Sequence, residues 1–299
     1  MTAGILIFGA GYSGRAFAAA NNDLAISGTT RAEDGFDRLS PAGIRPFLFD
    51  GHRLTPELDA ELGRARHLIV SIAPGEAGDP VLNAAQASIR RTSALASIAY
   101  LSTVGVYGDH GGAWVDEASP CRPVSARSRR RVEAEARWLA LGDACDIPVA
   151  VLRLSGIYGP GRNAFVNLAQ GTAKRWIKPG QVFNRVHVED FAGALRYLAS
   201  GRTGGVFNVT DDEPAPPQDV VAYAARLMGV GPPPEIPFGT AQLSPMARSF
   251  YGENKRVANT AIKAVGYRFR FPDYRQALDR MWADGSWRDG EPRSPIKGG

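Results

Sequence analysis

The sequence predicts an α/β fold: a doubly wound parallel sheet of the Rossmann type, with a smaller C-terminal substrate lobe. Three observations carry that prediction. Short apolar runs recur between helical segments, the runs do not alternate polar with apolar residues, and a glycine pattern closes the first of them. Continuous apolar strands suit a sheet covered by helices on both faces, because neither side of such a strand meets water.

Taken in order, the strands are "GILIFG" (4–9), "LAIS" (24–27), "RPFLF" (45–49), "HLIVSI" (67–72), "IAYLS" (98–102) and "VAVLRL" (149–154). Helical segments fit between them, beginning with "RAFAAA" after the first. "TPELDAEL" precedes the fourth, opened by an N-capping threonine and a proline at the first helical position. After residue 156 the texture changes: "GIYGPGRN", "DDEPAPP" and "GVGPPPEIPFG" set Gly and Pro at close intervals. Residues 1–156 are therefore expected to form the main sheet domain and 157–299 mainly the smaller lobe. Within 182–200, "RVHVEDFAGALRYLAS" reads as a strand and helix returning to the main sheet. The terminal "RDGEPRSPIKGG" is polar and rich in Pro and Gly, so fraying is expected there.

The composition narrows the function. A chain of 299 residues, 44% hydrophobic, can bury a full core. Its net charge of +5 is spread along the chain, so no nucleic-acid role is indicated. The one dense run, Arg127 to Arg131, precedes Glu133 and Glu135 at helical spacing, which predicts a solvated face with i,i+4 pairs. Cys121 and Cys145 have no neighbouring histidine, and the four histidines are scattered, so neither a metal nor a disulfide framework is expected. No charged leader or membrane-spanning run of roughly 18 apolar residues is visible; the reading is cytoplasmic, without a membrane partner.

"ILIFGAGYSGRAFA" places Gly9, Gly11 and Gly14 between the first strand and a helix. The first glycine permits a tight turn, the second lets a pyrophosphate approach the backbone, and the third lets helix pack on strand; the helix N-terminus then faces the phosphates. Tyr12, Ser13 and Arg15 complete the loop, with Tyr12 packing over the cofactor. A carboxylate roughly 20 residues after the loop would hold the ribose of NAD. The second strand here ends "ISGTTR", so Arg31 takes that place and suits the 2′-phosphate of NADP. NADP is thus favoured over NAD. The alternative makes Arg31 a surface residue and sends Glu33 or Asp34 to the ribose.

With these features the sequence resembles the extended short-chain dehydrogenase/reductase family, which contains nucleotide-sugar epimerases and dehydratases. Further points of resemblance are Asp50 and Gly51 after the third strand, "LSTVGVYGD", "LRLSGIYGPG", "RVHVEDFAGAL", "GGVFNVTDDEP" and "VGYRFRFPDYRQAL". The resemblance spans nearly the whole chain. It implies a small-molecule substrate, Asp50 beside the adenine, and Ser71, Ile72 and Ala73 along the cofactor. It also implies that Thr103 bonds the substrate oxygen, and that a homodimer forms through paired helices.

Two departures bear on mechanism. Where dehydratases carry an Asp and a Glu after the threonine, Val104 and Gly105 stand, so that route lacks its proton carriers. Aligned on "RRRVEAE", the family's Tyr-x-x-x-Lys pair falls on Ser125 and Arg129. A serine is too weak an acid and a guanidinium cannot shuttle a proton. A helix over 125–140 sets Ser125, Arg129, Val132, Ala136 and Leu139 on one stripe, which either turns Arg129 inward to the cofactor or leaves it solvated. Tyr107 is the first candidate for a replacement acid, followed by Tyr158, Tyr12 and His187. Two functions stay open: an atypical oxidoreductase or epimerase acting on a polar, sugar-like or phosphorylated substrate, or a non-catalytic NADP(H) sensor.

Overall fold

The computed structural model describes residues 4–242, 248 and 250–288. Its central sheet is built from β1 (Gly4–Phe8), β2 (Ala25–Thr30), β3 (Ile44–Leu48), β4 (His67–Val70), β5 (Ser97–Thr103), β7 (Val149–Leu154) and β11 (Gly205–Val209). All pairings in it are parallel, in the spatial order β3-β2-β1-β4-β5-β7-β11. This is the doubly wound arrangement, and its order reverses between β1 and β4, where ligands bind in such sheets. Six of the strands fall on the apolar runs; β11, in "GGVFNV", is a seventh that those runs do not predict.

Both faces are covered. On one, α1 (Tyr12–Ala20) and α7 (Val188–Ser200) bury Phe17, Phe191, Leu195 and Leu198 against Ile7, Ile26 and Leu152. On the other, α3 (Pro56–Arg64), α4 (Pro80–Arg91) and α5 (Ala126–Cys145) bury Leu58, Leu62, Ile89 and Trp138 against Leu6, Leu68 and Tyr100. Each such side chain contributes about 1.5–3 kcal/mol by leaving water. Caps set the helix starts as the sequence predicts: Thr55 Oγ1 accepts the Leu58 N–H at 3.2 Å, and Pro56 follows it. A short helix α2 (Phe36–Leu39) lies between β2 and β3.

Residues 185–200, expected as a strand and helix, form strand β10 (Arg185–His187) and helix α7 (Val188–Ser200). α7 packs on α1 and β5. Strand β10 pairs with β8 (Gly156–Tyr158), because the outer edge of β7 is taken by β11 in the register Phe207↔Leu152. Two smaller ribbons join β6 (Trp114–Val115) to β13 (Arg256–Val257) and β9 (Arg175–Ile177) to β12 (Glu235–Pro237). A separate cluster of Phe165, Tyr274, Leu278, Met281 and Trp287 gathers α6 (Ala164–Ala169), α8 (Pro217–Met228) and the Tyr274–Asp284 helix. The tail expected to fray lies, beyond Arg288, outside the described residues.

Candidate functional site

A cleft of about 890 Å³ opens at the C-terminal ends of β1, β2 and β4. Gly9, with φ +87°, makes the turn after β1; a Cβ there would meet Ile72 Cγ1 at 2.8 Å. Gly14 is buried, with Ala10 and Ile7 within 3.6 Å of where its Cβ would stand. A Cβ on Gly11 would meet nothing within 4 Å, since it would project into the open cleft. Thr29 fixes the loop from β2, accepting the Gly9 N–H on Oγ1 at 2.9 Å and the Ala10 N–H on its carbonyl at 3.0 Å. No side chain caps α1 at Gly11. An open cradle before an uncapped helix start fits a diphosphate.

Arg15, Arg31, Asp50, Ile72 and Ala73 line this cleft as well. Arg38 joins them from α2, a wall residue that no strand-end motif signals. Glu33 and Asp34 are exposed on a short turn and are not part of the wall. The Asp50 carboxylate accepts the His52 N–H at 2.9 Å, a bond that lowers its pKa. Ser71 gives its N–H to Phe8 O, so its amide serves the sheet. Ser13 lies in the first turn of α1, and Tyr12 reaches away from the cleft to donate to Pro160 O at 3.1 Å.

At the end of β5, Thr103 Oγ1 accepts the Gly105 N–H at 3.1 Å. Helix α5 lies beside it, rotated relative to the expected stripe. Its buried residues are Ser128, Ala134, Glu135, Trp138, Leu141 and Gly142. Arg129 is exposed and donates to Val124 O at 2.8 Å. Arg131 is the guanidinium that turns inward, donating to Leu101 O at 2.5 Å and to Tyr100 Oη at 3.2 Å. Ser125 is the N-cap and accepts the Ser128 N–H. The inward side of α5 thus carries Ser128, Arg131 and Glu135, offset from the expected stripe through Ser125 and Arg129.

The i,i+4 pairs expected along the arginine run do not form with Glu135, which faces the sheet and pairs with Arg153. Tyr107, the first candidate for a replacement acid, points into the protein. It is fully buried, donates to Asn208 Oδ1 at 2.8 Å and accepts from Arg153 Nη1 at 3.0 Å. Burial raises its pKa, and Arg153 offsets part of that rise. His187 caps α7, with Nδ1 accepting the Glu189 N–H at 3.3 Å. Burial drives its pKa down to about 4. Tyr158 stands beside it, ring centroids 5.4 Å apart, and its pKa is also raised by burial.

A doubly wound sheet, a glycine turn into α1 and a cleft at the switch point define a nucleotide-binding Rossmann-type α/β protein. Residues 79–210 match the NAD dependent epimerase/dehydratase family. Protein YeeZ of Escherichia coli (strain K12) is 30% identical over 264 residues, covering 83% of this chain and 88% of that one. The chain belongs to this epimerase/dehydratase family. A solved structure of a functionally unknown conserved protein from Silicibacter pomeroyi DSS is 45% identical, with TM-score 0.85, over 95% of this chain and 99% of that one. A 3-diazoavenalumate denitrifying reductase of a Streptomyces species is 27% identical over 215 residues, 67% of this chain and 68% of its own. Among the described residues no helix is long and apolar enough to cross a membrane.

Proposed function

We propose that the chain is an NADP(H)-dependent oxidoreductase of this family, atypical in carrying arginines at the Tyr-x-x-x-Lys spacing, and that it acts on a polar small molecule. The observation that carries the reading is the pair Arg31 and Arg38 in the cleft wall, with Glu33 and Asp34 outside it. Two guanidiniums favour a 2′-phosphate, and no carboxylate stands at the end of β2 to repel it. Bound there, the dinucleotide supplies or takes a hydride at its nicotinamide ring. Gly9, Gly11 and the start of α1 would hold its diphosphate, and Ile72 and Ala73 would lie along it.

Arg131 of α5, bonded to Leu101 O of β5, takes the lysine place with Arg127 four residues before it at the tyrosine place. It supplies a permanent positive charge for hydroxyl-rich or anionic groups, though neither arginine carries a proton to substrate. Thr103 orients the reacting oxygen. The Streptomyces relative is named a reductase of a diazo compound, which supports net hydride delivery over sugar epimerisation.

The loss of both tyrosine and lysine favours a second reading, in which the protein binds NADP(H) and reports its redox state without turnover. The deciding experiment is calorimetric titration with NADPH and NADH, followed by NADPH oxidation at 340 nm with benzaldehyde, cyclohexanone, pyruvate and dihydroxyacetone phosphate. Tighter NADPH binding with turnover of at least one acceptor is expected. The Arg31→Ala variant should lose about 10- to 100-fold in NADPH affinity, the worth of a charged hydrogen bond, and keep its NADH affinity. Equal affinity for both coenzymes removes the NADP assignment, and binding without turnover favours the sensor.

A further inference from the structure

A second cavity, of about 860 Å³, lies where α1, α7 and the segment 267–270 meet. That volume suits a small organic molecule. Ala16, Ala19 and Ala20 of α1 and Gly193 of α7 line it, and residues this small leave the space between the walls unfilled. Asp190 fixes one wall. Its carboxylate accepts the N–H groups of Arg270 at 2.6 Å and Phe271 at 2.9 Å, and its carbonyl accepts the Tyr267 hydroxyl at 2.9 Å. The cavity is therefore part of the fold and not a gap between loose loops.

The charges around it do not balance. Of its four arginines, Arg196 is paired with Asp23 at 2.9 Å and Arg270 with Glu189 at 2.7 Å. The Asp190 carboxylate is buried and taken by backbone N–H groups. Arg15, half-buried, and Arg268, exposed, meet no carboxylate among the described residues. An apolar floor beside two uncompensated guanidiniums complements an anion with an apolar body. Arg15 also lines the coenzyme cleft, so one side chain belongs to both spaces.

We propose that this cavity is a second ligand site, for a small organic anion whose apolar body lies over the alanines and whose acid group faces Arg15 and Arg268, and that Arg15 couples it to the coenzyme cleft. One guanidinium serves two anions less well than one. The ligand and NADPH therefore weaken each other's binding, by the same factor in both directions. The site stands on the cavity, while the coupling rests on the reading that the cleft binds NADPH.

The test presents one apolar body with three charges: phenylbutyrate, phenylbutanol and phenylbutylamine, each titrated calorimetrically into the full chain. The anion should bind about 10-fold more tightly than the alcohol, and the amine most weakly. Arg268→Ala, at a residue outside the coenzyme cleft, should lose about 10-fold in phenylbutyrate affinity and keep its NADPH affinity. Ala19→Phe, at an exposed position, should abolish phenylbutyrate binding by filling the floor, with the thermal midpoint and NADPH affinity kept. Saturating phenylbutyrate should raise the NADPH Kd about 5- to 10-fold in wild type and leave it unchanged in Arg15→Ala.

Equal affinity for the anion and the amine, or wild-type phenylbutyrate affinity in Arg268→Ala or in Ala19→Phe, would overturn the site. A rise in NADPH Kd that never saturates and survives Ala19→Phe would put the anion in the coenzyme cleft and overturn it equally. Phenylbutyrate binding that responds to both variants but leaves the NADPH Kd unmoved would overturn the coupling. Absence of NADPH binding to wild type removes the coenzyme reading and the coupling with it, and the phenylbutyrate titrations then decide the cavity alone.

Discussion

Arg153 and Glu135 form a buried ion pair that ties β7 to α5: Arg153 Nη2 lies 2.8 Å from Glu135 Oε2, and Nε lies 3.2 Å from the same oxygen. The network extends beyond the pair. Ser102 Oγ donates to Glu135 Oε1, and Arg153 Nη1 donates to Tyr107 Oη, with the guanidinium 4.9 Å from the ring centre. This arrangement explains why Tyr107 is unavailable to a substrate and why α5 has its observed rotation.

Truncating one member of this pair leaves the other charge buried without its partner. Glu135→Ala should therefore destabilise the protein by about 3–5 kcal/mol. Replacing both residues by methionine should recover much of that loss, because no orphan charge then remains. Urea denaturation midpoints of the two variants and wild type measure the difference. A double variant no more stable than the single one would show that the pair is itself a net source of stability.

The glycines of the nucleotide loop should separate fold from binding. Gly9→Ala puts a Cβ at positive φ and 2.8 Å from Ile72 Cγ1, so it should lower the thermal midpoint by several degrees, as expected for roughly 1–3 kcal/mol of strain. Gly11 has φ −79° and open space in front of it. Gly11→Val should leave the thermal midpoint nearly unchanged and abolish NADPH binding, by filling the space a diphosphate would enter. Calorimetry and thermal melts of both variants decide this. Retained NADPH affinity in Gly11→Val would place the coenzyme elsewhere.

Arg129 and Arg131 should behave in opposite ways. Arg129 is a surface group bonded to Val124 O, so Arg129→Ala should change stability by less than about 0.5 kcal/mol and leave coenzyme affinity alone. Arg131→Met removes the bonds to Leu101 O and Tyr100 Oη, at a cost of about 1–3 kcal/mol. It should also weaken NADPH binding about 10-fold. Equal coenzyme affinities in the two variants would take Arg131 out of the lysine place proposed for it.

The same helix shows where the sequence stops being legible. Six strands were readable because each is buried on both faces and so appears as an unbroken apolar run. β11 was not: its first two residues are only half-buried, and the apolar stretch that follows is interrupted by Asn208. On α5, the inward face carries Ser128, Arg131 and Glu135 beside Trp138, which breaks the apolar stripe that helical periodicity relies on. The partner that makes Glu135 tolerable inside is Arg153 on a different strand, and sequence spacing cannot announce such a pairing. In the cleft, Gly9, Gly11 and Arg31 are legible from their places after strands. Arg38 is not, because it enters from a four-residue helix whose direction is set by tertiary packing.

His187 sets the last expectation, the response to acid. Its ring is buried between Tyr158, at 5.4 Å, and Phe271, at 4.5 Å between centroids. Nδ1 is the acceptor for the Glu189 N–H, so the neutral ring carries its proton on Nε2. Its pKa falls from 6.5 to about 4, with burial as the main cause and Arg270 adding to it. The unfolded chain therefore binds this proton more tightly than the folded one. Stability is complete above pH 6.5 and is lost as pH falls towards 4, by up to about 3 kcal/mol from this group. His187→Asn keeps a capping oxygen for α7 and removes the titration. The urea midpoint of wild type should drop between pH 6.5 and 4.5 more steeply than that of the variant. Parallel curves would show that the ring is protonated as easily inside the protein as outside it.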